Sequence, residues 1–193
     1  MNALRIASFA LLLALTASAR AETIVFVRHA EKPEAGLGQL SCQGLNRALK
    51  LPAFFAKAFP KIDAIFAPDP SAAKPDKGVN YDYVRPLTTI EPTAIARGLP
   101  VNAEIGFADI PGLEKAVTSP QFDDATVVVA WEHKIIDVFA RDLLAAHGGD
   151  FKAVPDWRDA DYDGVYVLTL TPTSASFARL TEGLDGQSEA CPN

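Results

Sequence analysis

The chain of 193 residues has the composition of a globular protein, with 49% hydrophobic, 22% charged and 9% aromatic residues. This composition excludes a disordered, collagen-like or coiled-coil chain. The length suits one domain with a hydrophobic core of its own. A net charge of −6, without any run of Lys and Arg, argues against nucleic acid as a partner.

The first residues have the features of an export signal. Arg5 provides a short basic start, residues 6–16 are apolar, and Ala19-Arg20-Ala21 offers small residues at the positions that a signal peptidase reads. The apolar run is too short to anchor the chain in a membrane. We therefore expect residues 1–21 to be a signal peptide, residues 22–193 to form a single domain, and the mature protein to be periplasmic or secreted, with no membrane partner. An uncleaved or membrane-tethered N-terminus is the alternative.

Two cysteines, Cys42 and Cys191, remain after cleavage and would meet an oxidising compartment, where a disulfide can form. The sequence does not show whether they meet. Their spacing, without a nearby histidine, does not fit a zinc site.

Apolar runs that predict β-strands alternate with helical patterns along the rest of the chain. The first helix has Ser41 as its N-cap and an apolar face that continues to Phe59, although Pro52 should kink or divide it. The alternation indicates βαβ crossovers and a three-layer α/β/α sandwich around a mostly parallel sheet. The predicted strands are residues 23–27, 64–67, 125–131 and 165–170; further helices are predicted at 84–97, 112–117 and 135–144, and a long surface loop at 68–83.

Two histidines follow predicted buried strands directly. His29 ends the first strand and His133 follows the third, so a parallel sheet would place both at the carboxyl edge, where ligands bind in such folds. Arg28 precedes the first histidine, and Arg85 follows the second strand through its loop. Two guanidinium groups beside two imidazoles, near helix N-termini, predict a pocket for a phosphoryl group.

Four short motifs resemble those of the histidine phosphatase superfamily, which includes phosphoglycerate mutases, acid phosphatases and phytases. Arg28-His29-Ala30-Glu31 is similar to the N-terminal Arg-His-Gly-Glu signature. Residues 40–48 resemble the start of the family's first helix, residues 85–89 its second arginine motif, and residues 127–133 its second-histidine strand. The four motifs occur in the family's order and span nearly all of residues 22–193.

The resemblance implies a phosphoglycerate mutase-like fold and a phosphomonoester hydrolase that needs no metal or other cofactor. His29 would attack phosphorus and form a phosphohistidine, while Arg28, Arg85 and His133 hold the phosphoryl oxygens of a small phosphorylated substrate. Lys32 either adds a positive charge to the substrate site or is solvated. Two other classes stay open: an exported phosphate- or phosphoester-binding module with little turnover, and a metal carrier built on His and Glu.

The sequence departs from the family at the second histidine. Glu132 replaces the usual Gly, and Lys134 occupies the place of the phytase-type acid, so the general acid is Glu132, Glu104 or Asp109. We favour Glu132 because it ends a strand, where the chain can turn, and because burial there would raise its pKa. Ala30 replaces Gly beside the nucleophile and narrows the backbone freedom there.

Two acidic features have simpler interpretations. Glu31 would either orient Arg28 or Lys32 or take part in the chemistry. The run Asp159-x-Asp161-x-Asp163-Gly164 matches the first half of a calcium loop, but Leu170 stands where a bidentate Glu is required. We therefore predict no calcium site and a solvated loop at the sheet edge opposite the crevice.

Overall fold

The computed structural model describes residues 20–192. Residues 1–19, which make up most of the predicted signal peptide, lie outside the described residues. Among those described, no helix is both long enough and apolar enough to cross a membrane.

A six-stranded sheet runs through the centre of the protein, with strand order β5-β2-β6-β1-β7-β8. A separate two-stranded hairpin joins β3 and β4. The strands are β1 Glu22–Arg28, β2 Ala64–Pro68, β3 Ala73–Asp76, β4 Val79–Asp82, β5 Val101–Ile105, β6 Thr126–Trp131, β7 Gly164–Thr171 and β8 Ser174–Thr181.

Four α-helices cover both faces of the sheet. Val25 and Val27 of β1 pack in the core under α1 and α2, whereas Ile24 and Phe26 point to the other face, under α3 and α4. The predicted three-layer α/β/α architecture is confirmed. The helices are α1 Cys42–Ala58, α2 Arg85–Arg97, α3 Ile110–Val117 and α4 His133–Ala146, with short 3-10 turns at Pro120–Phe122 and Phe151–Ala153.

The helix ends follow local sequence rules, whereas the proline inside α1 does not have the predicted effect. The Ser41 hydroxyl accepts a hydrogen bond from Gly44 N, as predicted, and Gly98 ends α2 in the left-handed conformation. Pro86 stands in the first turn of α2, where backbone N–H groups have no acceptor within the helix, so the lack of an N–H costs no hydrogen bond. Pro52 does not divide α1, because the buried side chains of Leu51 and Phe55 hold the helix on the sheet across this point.

The sheet is parallel from β5 to β1, but β7 runs antiparallel to β1 and β8 antiparallel to β7. Val27 pairs with Val165, so β7 begins beside the carboxyl end of β1. The acidic segment 159–163 therefore lies at the crevice. Its predicted place at the opposite edge is wrong, because the apolar pattern of a strand does not show the strand's direction.

The segment 68–83, predicted as a surface loop, contains the β3–β4 hairpin instead. Its two turn residues, Lys77 and Gly78, have φ values of 52° and 83°. Positive φ at both central positions is what tight two-residue hairpins require. The hairpin reaches the crevice through Lys74 and Asp76.

The C-terminal segment is tied to α1. A disulfide joins Cys42 to Cys191, and Asn46 Nδ2 donates to the backbone oxygens of Ser188 and Ala190 at 2.9 and 2.8 Å. Arg47, whose side chain is 1% exposed, makes ion pairs of 2.7–3.1 Å with four carboxylates: Glu31, Asp163, Glu182 and Asp185. Glu31 is thus a partner of Arg47 rather than of Arg28 or Lys32.

Candidate active site

The structure brings all the favoured site residues to one cavity of about 320 Å³ at the carboxyl ends of β1 and β6. These residues are Arg28, His29, Lys32, Arg85, Glu132 and His133. The same cavity is lined by residues that were not among the predicted site residues: Lys74, Pro75 and Asp76 of the hairpin, Lys134, and Asp159 and Tyr162 of the acidic segment.

His29 is buried, and one of its ring nitrogens has no hydrogen-bond partner among residues 20–192. Its Nδ1 lies 2.8 Å from the Ala30 carbonyl oxygen. A carbonyl oxygen only accepts, so Nδ1 carries the proton and Nε2 keeps a lone pair. Burial, together with the charges of Arg85 and Arg28, lowers the pKa of His29 to about 3. The imidazole is therefore neutral at physiological pH, as a nucleophile must be.

The backbone around His29 is fixed by two neighbouring elements. His29 N donates to the Trp131 carbonyl oxygen of β6. Ala30 N donates to Thr89 Oγ1, 2.9 Å away, and Thr89 in turn donates to the Arg85 carbonyl oxygen of α2. The structure gives no positive φ at Ala30, so the substitution of the family's Gly strains nothing here.

Two buried guanidinium groups face the cavity. Arg28 donates through one terminal nitrogen to the backbone oxygens of Asp159 and Asp161 and stacks on the Tyr162 ring, with 3.8 Å from Cζ to the ring centroid. Arg85 donates to Asp76 Oδ2. The Nε atoms of Arg28 and Arg85 are buried and meet no acceptor among the described residues. These unpartnered donors favour an anionic ligand.

Asp76 joins the hairpin to the two cations beside the nucleophile. One of its oxygens accepts from Lys32 at 2.9 Å and the other from Arg85. Burial alone would raise the pKa of Asp76, but the hydrogen bonds from Lys32 and Arg85 hold it below its usual range. Lys32 is thus an ordered cation on the cavity wall, and Arg85 pairs with a buried carboxylate.

His133 meets carboxylates at both ring nitrogens. Its Nε2 lies 2.8 Å from Asp159 Oδ1, and its Nδ1 lies 3.0 Å from Glu132 Oε1. The geometry of the Nδ1 contact does not meet that of a hydrogen bond. The side chain of Asp159 is 74% exposed and also contacts Lys134 Nζ, at 3.3 Å. A phosphoryl group that binds His133 Nε2 must displace this carboxylate.

Glu132 enters the cavity because the chain turns directly after it, where it caps α4. The expected rise in its pKa is wrong. Burial does act in that direction, but the contacts with His133 and Lys74 outweigh it, and the pKa of Glu132 falls to about 2. Glu132 is therefore ionised in the free protein.

The other two acids considered for proton donation lie elsewhere. Glu104 lines a different cavity, beside β5 and α3. Asp109 is the N-cap of α3 and accepts from Gly112 N at 3.0 Å. Within residues 20–192, no group of three or more His, Cys, Asp and Glu side chains is arranged to hold a metal ion.

Solved structures share this fold at low sequence identity. A phosphohistidine phosphatase of the SixA type from Nakamurella multipartitia is 15% identical and matches 82% of this chain and 94% of its own, with a TM-score of 0.53. Phosphoglycerate mutase from Plasmodium falciparum is 15% identical over 84% of this chain and 92% of its own, with a TM-score of 0.56. Mycobacterial glucosyl-3-phosphoglycerate phosphatase is 14% identical over 83% and 97%, with a TM-score of 0.52.

The chain shares the phosphoglycerate mutase-like fold of these proteins. The fold that the sequence motifs implied is confirmed. The mycobacterial phosphatase has also been solved with inorganic phosphate, with a TM-score of 0.50 to this chain. No protein-family model and no curated protein sequence matches the chain.

Proposed function

We propose that this chain is a phosphatase of the histidine phosphatase type: a metal-independent phosphomonoester hydrolase that works through a phosphohistidine on His29. One observation carries the proposal. A buried, neutral imidazole with a free Nε2 lines the same cavity as two guanidinium groups that retain unpartnered N–H donors. A nucleophile among fixed donors is the arrangement that phosphoryl transfer needs.

The first step transfers the phosphoryl group to the protein. His29 Nε2 attacks phosphorus in line with the leaving oxygen, and the Nδ1–H to Ala30 hydrogen bond stabilises the positive charge that develops on the ring. Arg28, Arg85 and His133 hold the oxygens that do not react. The positive charge of the two guanidinium groups and the donors of all three side chains stabilise the transition state without having to reorganise.

The second step returns the site to its resting state. Water attacks the phosphohistidine from the side that the leaving group has vacated, and inorganic phosphate forms. When phosphate leaves, Asp159 regains its contact with His133 Nε2. Glu132 stays ionised and holds His133 and Lys74 in place through contacts of 3.0 and 3.7 Å.

Hydrolysis of a chromogenic aryl phosphate tests the proposal. Purified protein is assayed in excess chelator across about pH 4 to 8 beside His29→Ala, and turnover is expected in the unsubstituted protein alone. Phosphate binding without turnover would instead identify a phosphate-binding module. Activity that chelation abolishes, with Arg28→Met and Arg85→Met unaffected, would identify a metal carrier or metalloenzyme.

We also propose that residues 1–21 are an export signal and that the protein acts outside the cytoplasm on small phosphoesters. The Cys42–Cys191 disulfide supports this location, because such bonds persist in oxidising compartments. Expression of the full chain in a Gram-negative host should yield a periplasmic protein whose mass corresponds to a start at Glu22. An intact N-terminus in the cytoplasm would contradict it.

A further inference from the structure

We propose that Lys74, at the base of the β3–β4 hairpin, donates the proton that the leaving oxygen needs when His29 attacks. This inference rests on the proposed phosphatase function and adds the acid that its first step requires. None of the carboxyl groups considered from the sequence fills that role in the structure, since Glu132 is held as an anion and the other two lie outside the cavity.

The hairpin holds the Lys74 ammonium on the cavity wall. Its side chain is 20% exposed, and Nζ lies 3.7 Å from Glu132 Oε2. Nζ also lies above the ring of Tyr83, 4.7 Å from its centroid, and 5.2 Å from that of Phe107. Two residues further along the strand, Asp76 anchors the hairpin to the cations beside His29. Lys74 is therefore an ordered proton carrier in the site.

The other Lys and Arg side chains of the cavity are less suited to give up a proton. The guanidinium groups of Arg28 and Arg85 do not deprotonate in proteins. Lys32 donates to Asp76 at 2.9 Å. Lys134 is 65% exposed and contacts Asp159.

Burial and the surrounding charges poise Lys74 for proton transfer. Burial lowers the pKa of Lys74, and so do the positive charges of Arg85 and Lys32; Glu132 and Asp76 act in the opposite direction, and the net pKa lies below the usual lysine range. An ammonium with a lowered pKa is a stronger acid, while the contact with Glu132 keeps it protonated before substrate binds.

The proton balance closes over one turnover. In the first step the bond between His29 Nε2 and phosphorus forms, the bond from phosphorus to the leaving oxygen breaks, and that oxygen takes a proton from the Lys74 ammonium. Lys74 is then a neutral amine. In the second step the attacking water gives a proton to this amine as its oxygen bonds to phosphorus, so that phosphate leaves and the ammonium is restored.

A series of leaving groups separates proton donation from simple substrate binding. Dinitrophenyl phosphate needs no acid because its leaving group is stable as an anion, whereas phenyl and alkyl phosphates do need one. Lys74→Met is expected to lower kcat on an alkyl phosphate by about 100-fold or more, and on dinitrophenyl phosphate by less than about fivefold. Equal losses across the series would overturn the proposal and leave Lys74 as a binding residue.

Two further variants make the result decisive. Lys74→Arg keeps the positive charge but cannot release the proton, so its kcat on alkyl phosphates should fall as that of Lys74→Met does. This variant tests proton donation even if Lys74→Met folds poorly. Lys77→Met makes the same change at the exposed hairpin turn and should match the unsubstituted protein. An Arg variant that is active on alkyl phosphates would overturn proton donation. No turnover of any ester by the unsubstituted protein would overturn the phosphatase function itself.

Discussion

At the scale of single residues, the state of His29 decides the chemistry. The ring is 3% exposed, donates through Nδ1 to the Ala30 carbonyl oxygen, and lines the same cavity as two buried guanidinium groups. Burial and the charges of the two guanidinium groups disfavour the protonated ring and outweigh the hydrogen bond to Ala30, which favours it, so the nucleophile exists without a neighbouring base to activate it. Because burial lowers the pKa of His29, this residue also makes the free energy of unfolding depend on pH.

His29→Gln should make the protein less sensitive to acid. The folded pKa of His29, about 3, lies below its ordinary value of 6.5, so the unfolded chain binds more protons between these two values. The free energy of unfolding therefore falls as the pH drops through this window, and His29 contributes to that fall. The free energy of unfolding of His29→Gln, measured relative to that of the unsubstituted protein, should therefore be about 3 kcal/mol higher at about pH 4 than at about pH 8.

Urea unfolding at the two pH values measures this difference, since Gln keeps a donor for the Ala30 carbonyl oxygen but does not titrate. Parallel pH dependences in the two proteins would show that His29 is solvated and charged in acid like an exposed histidine. Such a result would also remove the basis for a neutral nucleophile.

At the scale of elements, the strands carry the parts of the site that were predictable. Arg28 with His29 and Glu132 with His133 each follow a continuous apolar run, and such runs predict strands whose carboxyl ends meet. The hairpin residues Lys74 and Asp76 gave no such signal. Their segment is rich in Pro, Asp and Lys, and what makes it a hairpin is a two-residue turn at positive φ together with long-range ion pairs.

The sequence pattern also did not predict the direction of β7 or the two edge strands. The run 165–170 predicted a strand correctly, but its antiparallel direction depends on the pairing with β1, which brings Asp159 to His133. The strands β5 and β8 lie at the two edges of the sheet. Solvent-exposed side chains alternate with partly buried ones along β5 and along the first half of β8. These two strands lack the continuous apolar run that marked the central strands.

Asp76→Asn tests the hairpin as a part of the site. The carboxylate is buried and holds both Lys32 and Arg85, so its loss leaves two cations without their counter-ion. We expect the free energy of unfolding to fall by about 2 to 4 kcal/mol and kcat to fall by at least about 10-fold. Chemical denaturation and steady-state kinetics measure the two effects.

Asp82→Asn, at the exposed end of the same hairpin, is the matched control and should change neither quantity. If Asp76→Asn also leaves both quantities unchanged, the hairpin covers the site without organising it.

At the scale of the whole molecule, the C-terminal segment joins α1 to the loops that form the site. Arg47 binds Glu31 from the loop after His29, Asp163 from the segment before β7, and Glu182 and Asp185 from the C-terminal segment. The disulfide closes this arrangement by fixing Cys191 at the start of α1. A covalent link between residues 149 positions apart thus joins the C-terminal segment to α1.

Reduction of this disulfide should lower stability. The bond closes most of the described chain into one loop, and its loss is expected to reduce the free energy of unfolding by about 2 to 5 kcal/mol. Thermal unfolding with and without reductant measures the effect, and the double variant Cys42→Ala/Cys191→Ala should unfold at the lower temperature in both conditions. A melting temperature that does not respond to reductant would show that the cysteines are not paired in solution.

Trapping the covalent intermediate tests the proposed function most directly. Protein mixed with an aryl phosphate labelled in its phosphoryl group and quenched in base within one turnover should carry an acid-labile, base-stable phosphoryl group, which peptide mapping assigns to His29. His29→Ala should carry none and should not turn over. A label on another residue, or turnover retained in His29→Ala, would contradict the phosphohistidine mechanism.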